Sequence, residues 1–373
     1  MPQILTFLGK GGSGRTTVAI AAAKQQANLG RRVLFVSQDP TPATGILLGV
    51  PLTDTPQSIP PSGGSASGAN LDVVSISATV AIERGWEDIK QIEARYLRSP
   101  ILSNVYGQEL AILPGMDSAI VLNALRQYDA SGKYDVIVYD GTGDMTTLRM
   151  AGMPDALSWY MRRFIAVVEE SDLWRTISPI MQPAIAAVLT LAWTGESVMS
   201  EPMREATSLL DKSQSIISNP QRVVGFLVTT ADPAAIATAK YLWGSAQQSG
   251  LTIGGTIVNQ STVQDSVAAE FDPLAVSIVP TRIGTDWQPL MDAMPDFSQA
   301  ITSPKPIDID ISKREVRLYL PGFDKTQVKL TQSGPEVTID AGDQRRNILL
   351  PPQLKGSSVK GAKFQSGYLI ISF

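Results

Sequence analysis

The sequence predicts an α/β protein: a doubly wound, mostly parallel sheet with a helical insert, followed by a C-terminal all-β sandwich. Three observations predict this. Near-continuous apolar runs alternate with helical patterns through about the first 280 residues, as in a parallel sheet covered on both faces. A glycine-rich turn, Gly9 to Gly14, joins the first apolar run to the first helix. From Lys305 onward the pattern becomes short strands of alternating polarity, and the charge changes sign. Residues 1–304 carry 20 Lys and Arg against 28 Asp and Glu; residues 305–373 carry 11 against 7. The expected division is a first domain over 1–304, with a helical insert at about 143–220, and a second over 305–373.

Each element has its own signal. Ile4–Leu8 predicts a buried strand. Thr16–Asn28 is Ala-rich and stops before Gly30, which predicts a helix. Arg32–Ser37 (RVLFVS) predicts the second strand, and later strands are predicted at Leu71–Ser75, Leu110–Leu113, Val136–Tyr139, Val223–Thr229, Thr256–Val258 and Val276–Val279. Residues 51–70 are dominated by Pro, Ser and Gly and predict a surface excursion. In the tail, strands are predicted at Ile307–Ile311, Glu315–Tyr319, Val328–Thr331, Glu336–Asp340, Asn347–Leu350, Val359–Phe364 and Tyr368–Phe373. Turn residues separate them, at Pro321-Gly322, Ser333-Gly334-Pro335 and Ala341-Gly342-Asp343.

Composition removes whole classes of chemistry. The chain has 373 residues, no Cys and no His. A thiol nucleophile, a thiolate zinc site, an imidazole base and a Ser-His-Asp triad are all excluded. What is left is carboxylates, Lys and Arg, hydroxyls, backbone dipoles and metals held by oxygen. That set suits phosphoryl transfer, which depends on positioning and charge neutralisation. A net charge of −4 argues against a nucleic-acid partner. The longest apolar stretch, Pro183–Trp193, is about half the ~20 residues of a membrane span. We expect a cytoplasmic protein with no intrinsic membrane span.

The motif Gly9-Lys10-Gly11-Gly12-Ser13-Gly14-Arg15-Thr16-Thr17 follows a strand and opens a helix. Glycines let successive backbone N–H groups turn toward a phosphate, and the helix N-terminus adds its dipole. Thr16 stands where a P-loop hydroxyl ligates Mg²⁺. The usual pattern ends in Gly-Lys followed by Ser or Thr, and here Arg15 replaces the Lys. Its forked guanidinium keeps the charge but not the geometry. We expect ATP and Mg²⁺ to bind and hydrolysis to be slow. Asp39 follows the second strand, at whose C-terminal edge a carboxylate can face the phosphate loop and orient water. Asp140 follows the apolar run VIVY, where a carboxylate can approach Mg²⁺.

With Lys10 directly after the first glycine, the loop resembles the deviant Walker-A loop of one ATPase family. That family includes the arsenite-pump ATPase, the targeting factor for tail-anchored membrane proteins, and the partitioning and division-site ATPases. The resemblance covers roughly residues 1–300. It implies a homodimer in which Lys10 reaches the partner's nucleotide. Ser37-Gln38-Asp39-Pro40-Thr41-Pro42-Ala43 resembles the family's switch I, S-T-D-P-A-H-S, which implies that Asp39 orients the attacking water; Pro42 stands where the family has His. Asp140 to Arg149 resembles switch II, D-T-A-P-T-G-H-T-L-R, which implies a Mg²⁺-associated role for Asp140. Val258-Asn259-Gln260 resembles the adenine-contact element, which implies base-reading amides on Asn259 and Gln260. The CxxC zinc staple of the targeting members has no counterpart, because there is no Cys.

In the targeting members, helices after switch II form an apolar groove for a transmembrane segment. The corresponding residues here include Met145, Met150, Met153, Met161, Met181, Met199 and Met203. Thioethers suit promiscuous apolar recognition. The same spacing also suits inward-facing core residues of amphipathic helices, and the sequence leaves both readings open. In the tail, Leu320 to Val328, Arg345 to Pro351, and Ala362 to Gly367 with Leu369 resemble the α-crystallin domain of small heat-shock proteins.

These readings imply a homodimeric Mg-ATP-dependent switch ATPase that binds a hydrophobic client protein or transmembrane segment. One alternative is a nucleotide-binding scaffold or chaperone with little or no hydrolysis. Another is the energising subunit of an anion transporter.

Overall fold

The computed structural model describes residues 1–59, 70–77, 79–80, 115–169, 202–261, 265–297 and 303–373. The predicted strand at 110–113 lies outside them, as do Met181 and Met199 and most of the middle of the insert.

An eight-stranded sheet dominates the first part. Its order is β3-β4-β2-β5-β1-β6-β7-β8. The strands are β1 (Gln3–Leu8), β2 (Val33–Ser37), β3 (Gln57–Ser58), β4 (Leu71–Ser75), β5 (Val136–Asp140), β6 (Val223–Thr229), β7 (Ile253–Asn259) and β8 (Val276–Val279). All pairings are parallel except β3 with β4. β3 corrects the reading of 51–70 as wholly loop. Gln57 and Ser58 pair antiparallel to Val73 and Asp72 at the sheet edge. Two residues carry no alternation to detect, so sequence pattern could not show them.

The central strands read as unbroken apolar runs because both faces are covered. β2 and β5 are buried at every position. Helix α1 (Arg15–Asn28) lies on one face with Val18 to Ala23 buried, and its alanines bring the helix axis close to the sheet. The remaining helices described are α2 (Ala43–Leu48), α3 (Met116–Ala130), α4 (Met145–Glu169), α5 (Pro202–Ile217), α6 (Pro233–Gln248), α7 (Asp265–Ala268) and α8 (Gln288–Asp292). Asp232 caps α6, its side chain accepting from the Ala235 N–H, with Pro233 in the first turn. α4 and α5 bear out the helical reading of the insert at both ends. α4 runs through Pro154, which lacks the N–H for one helix hydrogen bond.

Met150 is a correction to the groove. It is buried with Val121, Leu125, Ile137 and Tyr139, so it fills the core beneath α4. Met145 and Met153 are half-buried. Met161 and Met203 lie on α4 and α5, their side chains outside the described residues.

The tail forms two antiparallel sheets, β14-β15-β10-β9 and β11-β12-β13. Its strands are β9 (Ile307–Asp310), β10 (Glu315–Tyr319), β11 (Val328–Ser333), β12 (Glu336–Ala341), β13 (Gln344–Leu349), β14 (Gly361–Gln365) and β15 (Tyr368–Ser372). All seven predicted tail strands are present. β13 starts three residues earlier than predicted, because the hairpin turn is tight and Ala341 pairs with Gln344. Val316, Leu318, Val337, Ile339, Ile348 and Ile371 meet in a shared core, as alternation requires.

The two parts pack on each other through α6. Tyr319 joins the cluster of Trp243 and Phe271, while Tyr241 packs against the sandwich core. A Cβ at Gly244 would lie 2.2 Å from the Pro321 carbonyl, so only glycine lets this turn rest on the helix. Among the described residues, no helix is long and apolar enough to cross a membrane.

Candidate functional site

β1 lies at the point where the strand order reverses. The chain builds β2 and β4 on one side of it and β6, β7 and β8 on the other. Such a crevice, at the C-terminal ends of parallel strands, is where α/β sheets bind ligands. The loops after β1, β2, β5 and β7 all open there.

The loop after β1 is held by backbone contacts. The Gly9 N–H donates to the Gly143 carbonyl at 2.9 Å, and the Ser13 N–H to the Lys10 carbonyl at 3.1 Å. Gly9 is required by close approach, since a Cβ there would lie 2.0 Å from the Val228 carbonyl of β6. Gly14 caps α1 with φ 83°, and no side chain bonds the first turn of the helix. The N-terminal amides and their dipole are therefore left for an anion. Gly11, Gly12 and Lys10 are exposed, Thr16 and Thr17 half-buried, and Ser13 buried.

Arg15 reaches the segment that follows β5. Its guanidinium donates to the Thr142 carbonyl, just beyond β5. Burial pulls its pKa below the usual guanidinium value, and the neighbouring Asp140 and Asp144 oppose that shift. Asp140, the last residue of β5, is only 4% exposed. Burial pushes its carboxyl up to about 6, against a hydrogen bond from the Thr16 side chain and the charge of Arg15; the nearby Asp39 adds to the rise. Thr16 and Asp140 are thus brought together. A buried carboxyl that holds its charge poorly, beside a hydroxyl, suits a hard cation with oxygen ligands. These residues fit Mg²⁺ shared with a phosphate.

Asp39 stands two residues beyond the end of β2. Its carboxylate closes a turn, accepting from the Thr41 N–H and the Thr41 hydroxyl, each at 2.9 Å. The Gln38 N–H donates to the Asp140 carbonyl at 3.0 Å, which ties the two segments together. Asn259 departs from the expectation for a base-reading amide. Its Nδ2 donates to the Ser13 carbonyl at 2.9 Å and the residue is 2% exposed, so it braces the phosphate loop. Gln260 is exposed, at φ 57°.

Sequence reasoning placed Thr142, Asp144 and Thr147 within the segment resembling switch II but gave them no role. Burial raises the Asp144 carboxyl, but bonds from Thr142 and Thr146, with the charge of Arg15, win and hold it below the usual range. Thr142 Oγ1 lies 3.0 Å from Thr147 Oγ1, which also accepts from the Gly143 N–H. The signal available was four hydroxyl or carboxyl residues, Thr142, Asp144, Thr146 and Thr147, in the seven positions after Asp140.

The comparisons with known proteins bear on the family of the chain as a whole. Residues 2–274 match the family model described as Anion-transporting ATPase. Residues 311–373 match the one described as HSP20-like domain found in ArsA. The chain is 25% identical to "Protein Rv2184c" of Mycobacterium tuberculosis over 419 aligned positions, covering 100% of this chain and 96% of that one. It is 23% identical to "Putative arsenical pump-driving ATPase 1" of Aquifex aeolicus, covering 99% of each. A partial match, 31% over 149 positions, joins 40% of this chain to 36% of the "ATPase ASNA1 homolog" of Plasmodium chabaudi chabaudi. With the phosphate loop, its carboxylates and the crystallin-like tail in place, the chain belongs to the anion-transporting ATPase family.

Proposed function

We propose that this chain is a homodimeric, Mg-ATP-dependent switch ATPase of the cytoplasm, with an ATPase unit over 1–304 and a crystallin-like unit over 305–373. The observation that carries this reading is the meeting of Arg15, Thr16, Asp39 and Asp140 at the reversal of strand order. In this reading the loop amides of Gly9 to Gly14, with Thr17, hold the phosphates. Thr16 and Asp140 hold Mg²⁺, which would neutralise the phosphate charge. Asp39 orients the attacking water, and release from its turn with Thr41 frees it to do so. Lys10, exposed on the loop, reaches the partner's nucleotide. Gln260 faces the base. Met145 and Met153 contribute to a surface for a hydrophobic client or transmembrane segment.

A second reading is supported by the hold of Arg15 on the Thr142 carbonyl. A guanidinium spent on the protein's own backbone does not neutralise a phosphate. The chain would then bind nucleotide as a scaffold and barely hydrolyse it. Steady-state ATP hydrolysis with Mg²⁺ separates the two readings. In the first, Asp39→Asn lowers turnover by about 10²-fold or more while ATP binding persists. Equal background in both proteins, with ATP bound, selects the scaffold.

A further inference from the structure

The crystallin-like sandwich touches the ATPase part through two seams of opposite character. The seam with α6 is buried. Gln248 Nε2 donates to the Ile339 carbonyl at 2.6 Å, and Arg346 donates to the Gln247 carbonyl at 3.0 Å. Gln247 and Gln248 are each 1% exposed. Gln247 also donates to the Pro304 carbonyl at 3.1 Å, and the Pro321 turn sits on Gly244. The seam with α4 combines an exposed ion pair with a half-buried hydrogen bond. Arg149 pairs with Asp343, with side chains 58% and 63% exposed. Ten residues further along, Trp159 Nε1 donates to Glu336 Oε2 at 3.0 Å.

Exposed ion pairs exchange with water at little cost, whereas buried hydrogen bonds are expensive to break. The sandwich is therefore hydrogen-bonded to the α6 backbone, whereas its side-chain contacts with α4, where Asp155 also lies near the buried Arg346, exchange at lower cost. α4 begins at Met145, directly after the segment Asp140–Asp144. That segment is gripped by Arg15 through the Thr142 carbonyl. If the guanidinium turns to a phosphate, this bond breaks and the segment is released.

We propose that the sandwich is a fixed stop for α4, so that nucleotide at the phosphate loop is read out as a shift of α4 against Asp343 and Glu336. The inference rests on the nucleotide reading above and adds the route by which occupancy reaches the second unit. Asp343 and Glu336 act as positioning residues, through α4 on the Asp140–Asp144 segment. A two-position element biased by one site is what such coupling requires.

The test uses the full chain, whose lack of Cys allows selective spin labelling. One labelled pair, Ala156→Cys with Lys329→Cys, spans α4 and the sandwich; the other, Ala237→Cys with Lys329→Cys, spans α6 and the sandwich. All three positions are exposed. Distances are measured without nucleotide and with a non-hydrolysable ATP analogue and Mg²⁺, with binding followed separately by calorimetry. The expected result is a shift of about 1–2 Å or more in the first distance and none in the second. Adding Asp343→Asn and Glu336→Gln should shift or broaden the first distance before any nucleotide is added. Bound analogue with both distances unchanged, or with both changed, overturns the proposal. Calorimetry showing no binding overturns the nucleotide reading itself and removes the trigger.

Discussion

The nucleotide face of the sheet and the α6 seam of the sandwich are both built from buried polar groups, yet they are built to opposite ends. At the seam, Gln248, Arg346 and Gln247 each send a donor to a backbone carbonyl, although the side-chain oxygens of Gln247 and Gln248 are buried without a hydrogen-bond partner. At the face, Asp140 is buried with its charge poorly compensated, and the Ser13 hydroxyl is buried without a hydrogen-bond partner. Donors that reach carbonyls on another element tie the two together; a buried carboxyl that holds its charge poorly is a cost that a bound cation relieves. The face therefore carries a carboxyl whose charge costs stability, and the seam is a joint made by bonds between two elements.

Three substitutions break or sharpen this contrast. The largest effect belongs to Gly9→Ala. Its new Cβ would meet the Val228 carbonyl at 2.0 Å, forcing β1 and β6 apart. We expect a loss of about 3 kcal/mol, read by chemical denaturation, together with loss of ATP binding.

Next is Asp140→Asn. The Asp140 carboxyl titrates near 6 when folded, above its value of 3.8 in the unfolded chain. Between those values the native state holds the extra proton, so stability falls as pH rises through this window and the full penalty is present at neutral pH. The amide removes that penalty. Ligand-free Asp140→Asn should be more stable than the parent at pH 7.5, by up to about 3 kcal/mol, and no more stable near pH 4. It should lose Mg²⁺-dependent nucleotide affinity. Equal stability at pH 7.5 would show that Asp140 is adequately compensated, and the contrast between face and seam would fall.

The smallest effect is at the joint. Gln248→Ala removes the buried bond to the Ile339 carbonyl and should cost about 1–2 kcal/mol, seen as a lower midpoint in urea with nucleotide binding intact.

Much of the fold was legible along the chain. β2 and β5 are buried at every position, so VLFVS and VIVYD had to be apolar throughout, and parallel strands announce themselves that way. The tail strands alternate because each sheet has one inner face. The phosphate loop was legible because its glycines answer local demands of close approach and turn. The juxtaposition of Thr16 with Asp140 was legible only through the ordering of motifs. The brace from Asn259 to Ser13 was not, because it links residues 246 apart in the chain. Met150 could not be assigned to core or groove, since spacing fixes the face of a helix and not what lies against it.

The sequence by itself determined most of the element types described, the glycine-rich loop, the change from a parallel sheet to an all-β tail, and the restriction to carboxylate, hydroxyl and cation chemistry. Those follow from local sterics, periodicity and the absence of Cys and His. Only the tertiary structure decided where Arg15 points, how Asp140 is charged, and which helix carries the sandwich. Each depends on burial and on partners distant in the chain, and burial sets both the strength of a hydrogen bond and the cost of a charge.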